Sequence, residues 1–178
     1  MPETSGESVR AYVGLGSNLG DRAGNLLMGV RGMMSASLRV VRLSSRYETE
    51  PVGVSEEQPA YLNAVAEICA PLPSPEELLA RLLEIEYALG RRRTHTNAAR
   101  TLDLDLLLYG DAKSETPLLT LPHPRLHLRR FVLTPLCELA WDARHPVLQK
   151  TFAELLAEVD DRSRVKLWRP NERMKAEG

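Results

Sequence analysis

The chain has 178 residues, enough for one domain with a sizeable core. Its 23 basic and 24 acidic residues leave a formal net charge of −1, and aromatics make up only 5%, which excludes a general nucleic-acid or membrane-surface binder; any functional charge must be local. No uncharged apolar run approaches the ~20 residues of a membrane span, and the first ten residues lack the apolar stretch of a signal peptide, so a cytoplasmic protein is expected, with Cys69 and Cys137 as reduced core thiols.

In chain order, Val9, Ala11, Val13 and Leu15 share one face by period two and predict a half-buried strand. The glycine-rich turn within VGLGSNLGDR leads to Asp21, a cap for a helix with Leu26, Val30 and Met33 at i, i+4 and i+7. Residues 38–49 predict a second strand, and EPVGVSEEQP a loop of about ten residues. YLNAVAEIC alternates, with Leu62, Ala64, Ala66 and Ile68 on one face and Tyr61 and Asn63 on the other. Ser74, Pro75 and Glu77 open a helix as a capping box, Leu78, Leu82, Ile85 and Leu89 form its core stripe, and Gly90 ends it. After the polar connection RRRTHTNAAR, TLDLDLLLY predicts another strand. The order is that of an α+β, ferredoxin-like βαββαβ core, an antiparallel sheet flanked by helices, with C-terminal additions. Those additions are a loop, an irregular LPHPRLHLRRF and a short helix from Thr151 with a second capping box. The expected organisation is a flexible 1–9, one domain over 10–160, and a basic tail over 161–178 that frays, since from Arg162 on it holds six Lys/Arg against two Glu.

The chemistry concentrates at Asp103 and Asp105. Two apart on a strand, they share a face about 6.5–7 Å apart while Leu102, Leu104 and Leu106 enter the core. At an effective dielectric near 20 the two charges repel by about 2 kcal/mol. Basic neighbours on a solvated face would offset this, as would a hard divalent cation such as Mg²⁺, completed by water and phosphate oxygens. Arg91, Arg93 and Arg100 precede the pair, and Arg129 and Arg130 follow His123; carboxylates beside guanidinium groups are the two halves of a phosphoryl-transfer site. Gly14, Gly16 and Gly20 fit neither a P-loop nor a dinucleotide fingerprint and make a poor phosphate cradle. His123, between two prolines, is placed either to donate to a phosphate or to face solvent, and His95 and His127 are expected at the surface.

GLGSNLGDR, YETEPVG followed by QPAYLNAV, the spacing of Arg91 and Arg93, RTLDLDLLLYG, and LPHPRLHLRRFVLTPL, in that order, resemble the 6-hydroxymethyl-7,8-dihydropterin pyrophosphokinase family from about Arg10 to Val159. The resemblance implies transfer of the β,γ-diphosphate of ATP to the pterin hydroxymethyl group, giving AMP, in folate biosynthesis. It further implies two Mg²⁺ held by Asp103 and Asp105, and catalytic arginines at Arg91 and Arg100. ATP contacts are implied at Glu86, Arg93, Thr120, His123 and Arg129. The pterin would lie between Tyr61 and Phe131, with Asn63 at its amide edge, Thr49 and Val52 beside it, and the flat backbone of Gly16 as a wall. ATP and the pterin are then the partners of a monomer that engages neither nucleic acid nor membrane. One stretch departs from the family: Thr96, Asn97, Ala98 and Ala99 stand where Arg-Trp-Gly-Pro is common, so altered loop packing or substrate affinity is expected. A ferredoxin-like RNA-binding module is the alternative from another class; it would show a basic, aromatic sheet face rather than two carboxylates. Another Mg-dependent nucleotidyltransferase would share the two aspartates but explain neither Tyr61 and Asn63 nor Phe131.

Overall fold

A computed structural model of the chain describes residues 8–53, 57–90 and 101–170. Arg91, Arg93, His95, Arg100 and the departure at 96–99 lie outside the described residues.

Period-two alternation produces a sheet with two distinct faces. Ala11, Val13 and Leu15 of β1 (Arg10–Ser17) and Leu62, Ala64, Ala66 and Ile68 of β4 (Tyr61–Cys69) point to one of them. There α1 (Arg22–Ser35) and α2 (Pro75–Ala88) bury Leu26, Met33, Leu78, Leu82 and Ile85 against them. Leu102, Leu104 and Leu106, the last two in β5 (Asp103–Tyr109), enter the same core as their spacing predicts. The caps fall where expected: Asp21 accepts from the Gly24 N–H at 3.0 Å and Ser74 from the Glu77 N–H at 3.2 Å. The Glu77 carboxylate itself turns to Arg81, one turn on, at 2.6 Å.

The strands pair β5, β1, β4, and then β2 (Arg39–Leu43) and β3 (Tyr47–Thr49) together along the outer edge of β4, all antiparallel. Taken as one interrupted strand, β2 and β3 complete the ferredoxin-like order. Residues 38–49 are thus not continuous. From Leu43 opposite Ala66 to Tyr47 opposite Asn63 the edge takes one residue more than β4, and the extra residue falls after Ser44, which itself stays opposite Val65. Its N–H donates to the Val65 carbonyl at 2.9 Å and its Oγ accepts from the Val65 N–H at 2.8 Å.

The opposite face is covered by elements with weaker sequence signals. A ribbon of β6 (Ser114–Glu115) and β7 (Thr120–Leu121) precedes a 3-10 turn at Leu126–Leu128 and a full helix, α3 (Arg130–Ala140), which starts inside the stretch expected to be irregular. Pro135 within it masks the helical pattern. Leu126, Leu133 and Leu136 pack with Phe152 and Leu155 of α4 (Phe152–Glu158) against Val65 and Leu107. The capping box at Thr151 and Glu154 is complete. The fraying expected beyond residue 160 does not hold through Trp168: Val165–Leu167 forms β8 on β3, and the Arg46 guanidinium lies 4.7 Å over the Trp168 ring. His127 is half-buried rather than superficial, edge-on to buried His145 at 5.7 Å. Among the described residues no helix is long and apolar enough to cross a membrane.

Candidate active site

Strand register assembles the site. Antiparallel pairing sets Gly16 between Asp103 and Asn63, and Asn63 next to Tyr47; one step along, Gly14 lies between Asp105 and Val65. Cross-strand partners share a face, so the polar phase of each strand gathers on the α3 side while the intervening leucines and alanines fill the core beneath α1 and α2. The α3 cover ends at its first turn. Beyond it opens a cleft lined by Gly16, Thr49, Val52, Tyr61, Asn63, Asp103, Asp105, Arg129 and Phe131, with Leu107 and Val65 among the apolar lining. Nine of the residues singled out from the sequence therefore meet in one place. Glu86 and His123 lie beside the aspartates without lining it, Thr120 is not among its lining residues, and Arg91, Arg93 and Arg100 lie outside the described residues.

One half of the cleft suits a flat polar ring. Asn63 Nδ2 donates to Thr49 Oγ1 at 2.7 Å, both residues being buried, which fixes the amide's orientation and turns Oδ1 toward Gly16. A Cβ on Gly16 would sit 2.8 Å from that oxygen and 3.6 Å from Tyr61 Cδ1, so glycine is required here by space and not by backbone angle. Across the same cleft Phe131 stands in the first turn of α3 with the Arg129 guanidinium 5.4 Å over its ring. Buried Asn18 ties the far end of the glycine turn to the loop before β4, donating to Gln58 at 3.0 Å and to the Pro59 carbonyl at 3.3 Å. VGLGSNLGDR is thus a wall and an anchor.

The other half carries the charge. Asp103 and Asp105 are half-buried on an edge strand whose outward Leu104 N–H is taken by Glu86 Oε1 at 2.6 Å. Glu86 is 3% exposed, so this acid is seated beneath the strand that displays the two aspartates. His123 is held by its own N–H on the Leu107 carbonyl at 2.9 Å, and its Nδ1 accepts from the Arg125 N–H at 3.1 Å. Burial, then the charges of Arg129 and Arg125, push its pKa down to about 4 against the pull of Asp103. It is therefore neutral at physiological pH, with the remaining proton on Nε2 as a donor. Paired hard oxygens beside a guanidinium and an imidazole N–H can hold a divalent cation and phosphate oxygens.

Glu50 is a lining residue that sequence patterns do not mark. It follows Thr49 directly, but an acid in a loop carries no periodicity to single it out.

A family profile described as 7,8-dihydro-6-hydroxymethylpterin-pyrophosphokinase (HPPK) matches residues 12–141. The 2-amino-4-hydroxy-6-hydroxymethyldihydropteridine pyrophosphokinase of Synechocystis sp. is 42% identical over 151 residues, 84% of this chain and 76% of that protein. Its counterpart in Bacillus subtilis is 40% identical over 160 residues, 89% and 90% of the two chains. Among solved structures, wild-type Plasmodium falciparum HPPK-DHPS with pteroate shares the fold at a TM-score of 0.67 and 15% identity, over 85% of this chain but 42% of that longer one. With the profile running from β1 through α3 and two-fifths of its residues shared with such enzymes over most of its length, the chain belongs to the 7,8-dihydro-6-hydroxymethylpterin-pyrophosphokinase family.

Proposed function

We propose that the cleft is where the β,γ-diphosphate of ATP passes to the hydroxymethyl oxygen of 6-hydroxymethyl-7,8-dihydropterin, in folate biosynthesis. One observation carries this: a single sheet face joins a slot for a flat ring, with an oriented amide at its floor, directly to paired carboxylates. The pterin lies between Tyr61 and Phe131, Gly16 leaves its plane unobstructed, Val52 closes one side, and Asn63, steadied by Thr49, reads its amide edge. Asp103 and Asp105 offer the hard, same-face oxygens that Mg²⁺ requires, and two Mg²⁺ would supply charge neutralisation across the ATP phosphates. On the nucleotide side Arg93, Thr120, His123 and Arg129 surround the triphosphate and its base, His123 donating through Nε2 without adding charge, while Glu86 serves the nucleotide from beneath by holding the aspartate strand. The pterin oxygen forms a bond to the β-phosphorus, the bond from that phosphorus to the α–β bridging oxygen breaks, and AMP leaves with the oxygen. The hydroxyl proton is released, and Arg91 and Arg100 meet the charge that develops.

Titration with the pterin, with and without a non-hydrolysable MgATP analogue, tests this. Pterin binding strengthened by nucleotide, and AMP formed from MgATP only when pterin is present, are the expected outcomes; absence of either rejects the proposal. Asp105→Ala should lower turnover by roughly 10²–10³-fold while pterin binding persists, and turnover near wild type with Mg²⁺ would reject the role given to that carboxylate.

A further inference from the structure

Residues 161–168 touch both walls of the cleft while lining none of it. The start of α3 has no side-chain cap from its own flanking residue, Arg129. The Arg130 N–H, a donor that a helix start leaves without an internal partner, instead donates to Asp161 Oδ2 at 2.9 Å, across 31 residues. Oδ1 of the same carboxylate accepts from the Ser163 N–H at 2.8 Å and turns the chain toward the sheet. There the Arg164 N–H donates to Glu50, and Val165 and Leu167 pair with Thr49 and Tyr47. One short stretch thus caps the turn bearing Arg129 and Phe131 and clamps the strand end bearing Thr49 and Glu50. The other end of α3 has a separate anchor: Glu138 accepts from the Tyr47 hydroxyl and from the Ser45 N–H at 3.0 Å.

We propose that Asp161 is a positioning residue for the diphosphate transfer: from outside the cleft it sets the first turn of α3, and with it the gap between Phe131 and the Tyr61 wall into which the pterin fits. This rests on the assignment of that slot to the pterin. The aspartate end is held by other bonds, through β1, Glu86 and the His123 N–H, so loss of Asp161 falls mainly on the pterin and reaches the nucleotide only through Arg129, which shares the capped turn.

The test compares wild type, Asp161→Ala and Asp161→Asn, each titrated with an MgATP analogue alone and then with pterin in its presence. Asp161→Ala should weaken pterin binding and raise the pterin KM roughly five- to tenfold, with nucleotide affinity, which depends on that turn through Arg129 alone, falling distinctly less. Asp161→Asn, which keeps an acceptor oxygen, should recover most of the loss. A folded Asp161→Ala with unchanged pterin affinity, or pterin and nucleotide affinities falling together in step with Tm, overturns the proposal. Amide hydrogen exchange reads the same contact in the wild-type protein: the Arg130 N–H should be protected and become more so when both ligands bind, and an N–H exchanging as an unbonded one overturns it. Wild type failing to bind pterin with nucleotide present would instead refute the assignment of the slot.

Discussion

Gly16 is where the fold leaves no room for one carbon atom. Gly16→Ala would drive a methyl group to 2.8 Å from Asn63 Oδ1, forcing the amide off its bond to Thr49. Losing one buried hydrogen bond costs about 1–2 kcal/mol, so pterin affinity should fall about tenfold with nucleotide affinity unchanged, as calorimetry can measure. His123 makes a different prediction. Its folded pKa of about 4 lies below the ordinary 6.5, so on acidification the unfolded chain takes up this proton first. The group leaves stability unaltered above about pH 6.5 and subtracts from it as the pH falls toward 4, by on the order of 3 kcal/mol in all. His123→Gln should therefore flatten the decline of Tm across that window and change little at higher pH; an unaltered slope would contradict the assignment. Tyr61, Asn63 and both aspartates were legible from alternation, because a strand displays its polar phase in the sequence. Arg129 was legible as one of the arginines gathered around the carboxylate pair, Phe131 and the ring-binding roles of Tyr61 and Asn63 only through family resemblance, and Asp161 not at all, since the bond that gives it meaning spans 31 residues.

At the scale of elements, legibility followed the range of the interactions. The starts at Asp21, Ser74 and Thr151 were readable because a cap is a contact between residues three apart. The break between Leu43 and Tyr47 was not, because the extra residue is counted against β4 and not against its own neighbours. α3 hid behind Pro135, and β8 is three residues of charge and aliphatic alternation that only pairing with β3 makes a strand. The contact of α1 with α2 carries a further prediction. A Cβ on Gly32 would lie 2.7 Å from Ile85 Cγ2, deep enough to push the helices apart. Overpacking of this kind costs about 1–3 kcal/mol, and the better helix propensity of alanine returns at most about 1. Gly32→Ala should lower Tm by a few degrees while turnover per folded molecule is kept, and a Tm equal to or above wild type would show that the helices yield without cost.

Across the whole molecule one sheet face is sealed by α1 and α2 and the other is only partly roofed, and the site opens where the roof stops. β4 carries polar residues toward both ends of that second face. At one end are Tyr61 and Asn63; at the other is Glu67, fully buried, gripped by Arg10 and by Arg42, whose guanidinium also donates to the Leu139 carbonyl at 2.6 Å near the end of α3. Burial and the Glu67 carboxylate push the Tyr12 hydroxyl up to about 12. In the sequence the two ends look alike, as the polar phase of one alternation. Only the position of α3 makes one a structural lock and the other the floor of a cleft.

The row formed by Asp103, Gly16 and Asn63 has a metric consequence. Adjacent strands lie about 4.8 Å apart, so the Asp103 carboxylate proposed for the metal and the Asn63 amide proposed for the ring stand roughly 9.6 Å from one another at the backbone. That span is kept by main-chain hydrogen bonds on both sides of β1, and no loop has to close to establish it. The sheet acts as a gauge: a ring whose hydroxyl is carried one carbon nearer or farther would hold its recognised edge in place and present its oxygen to the wrong point along the phosphate chain.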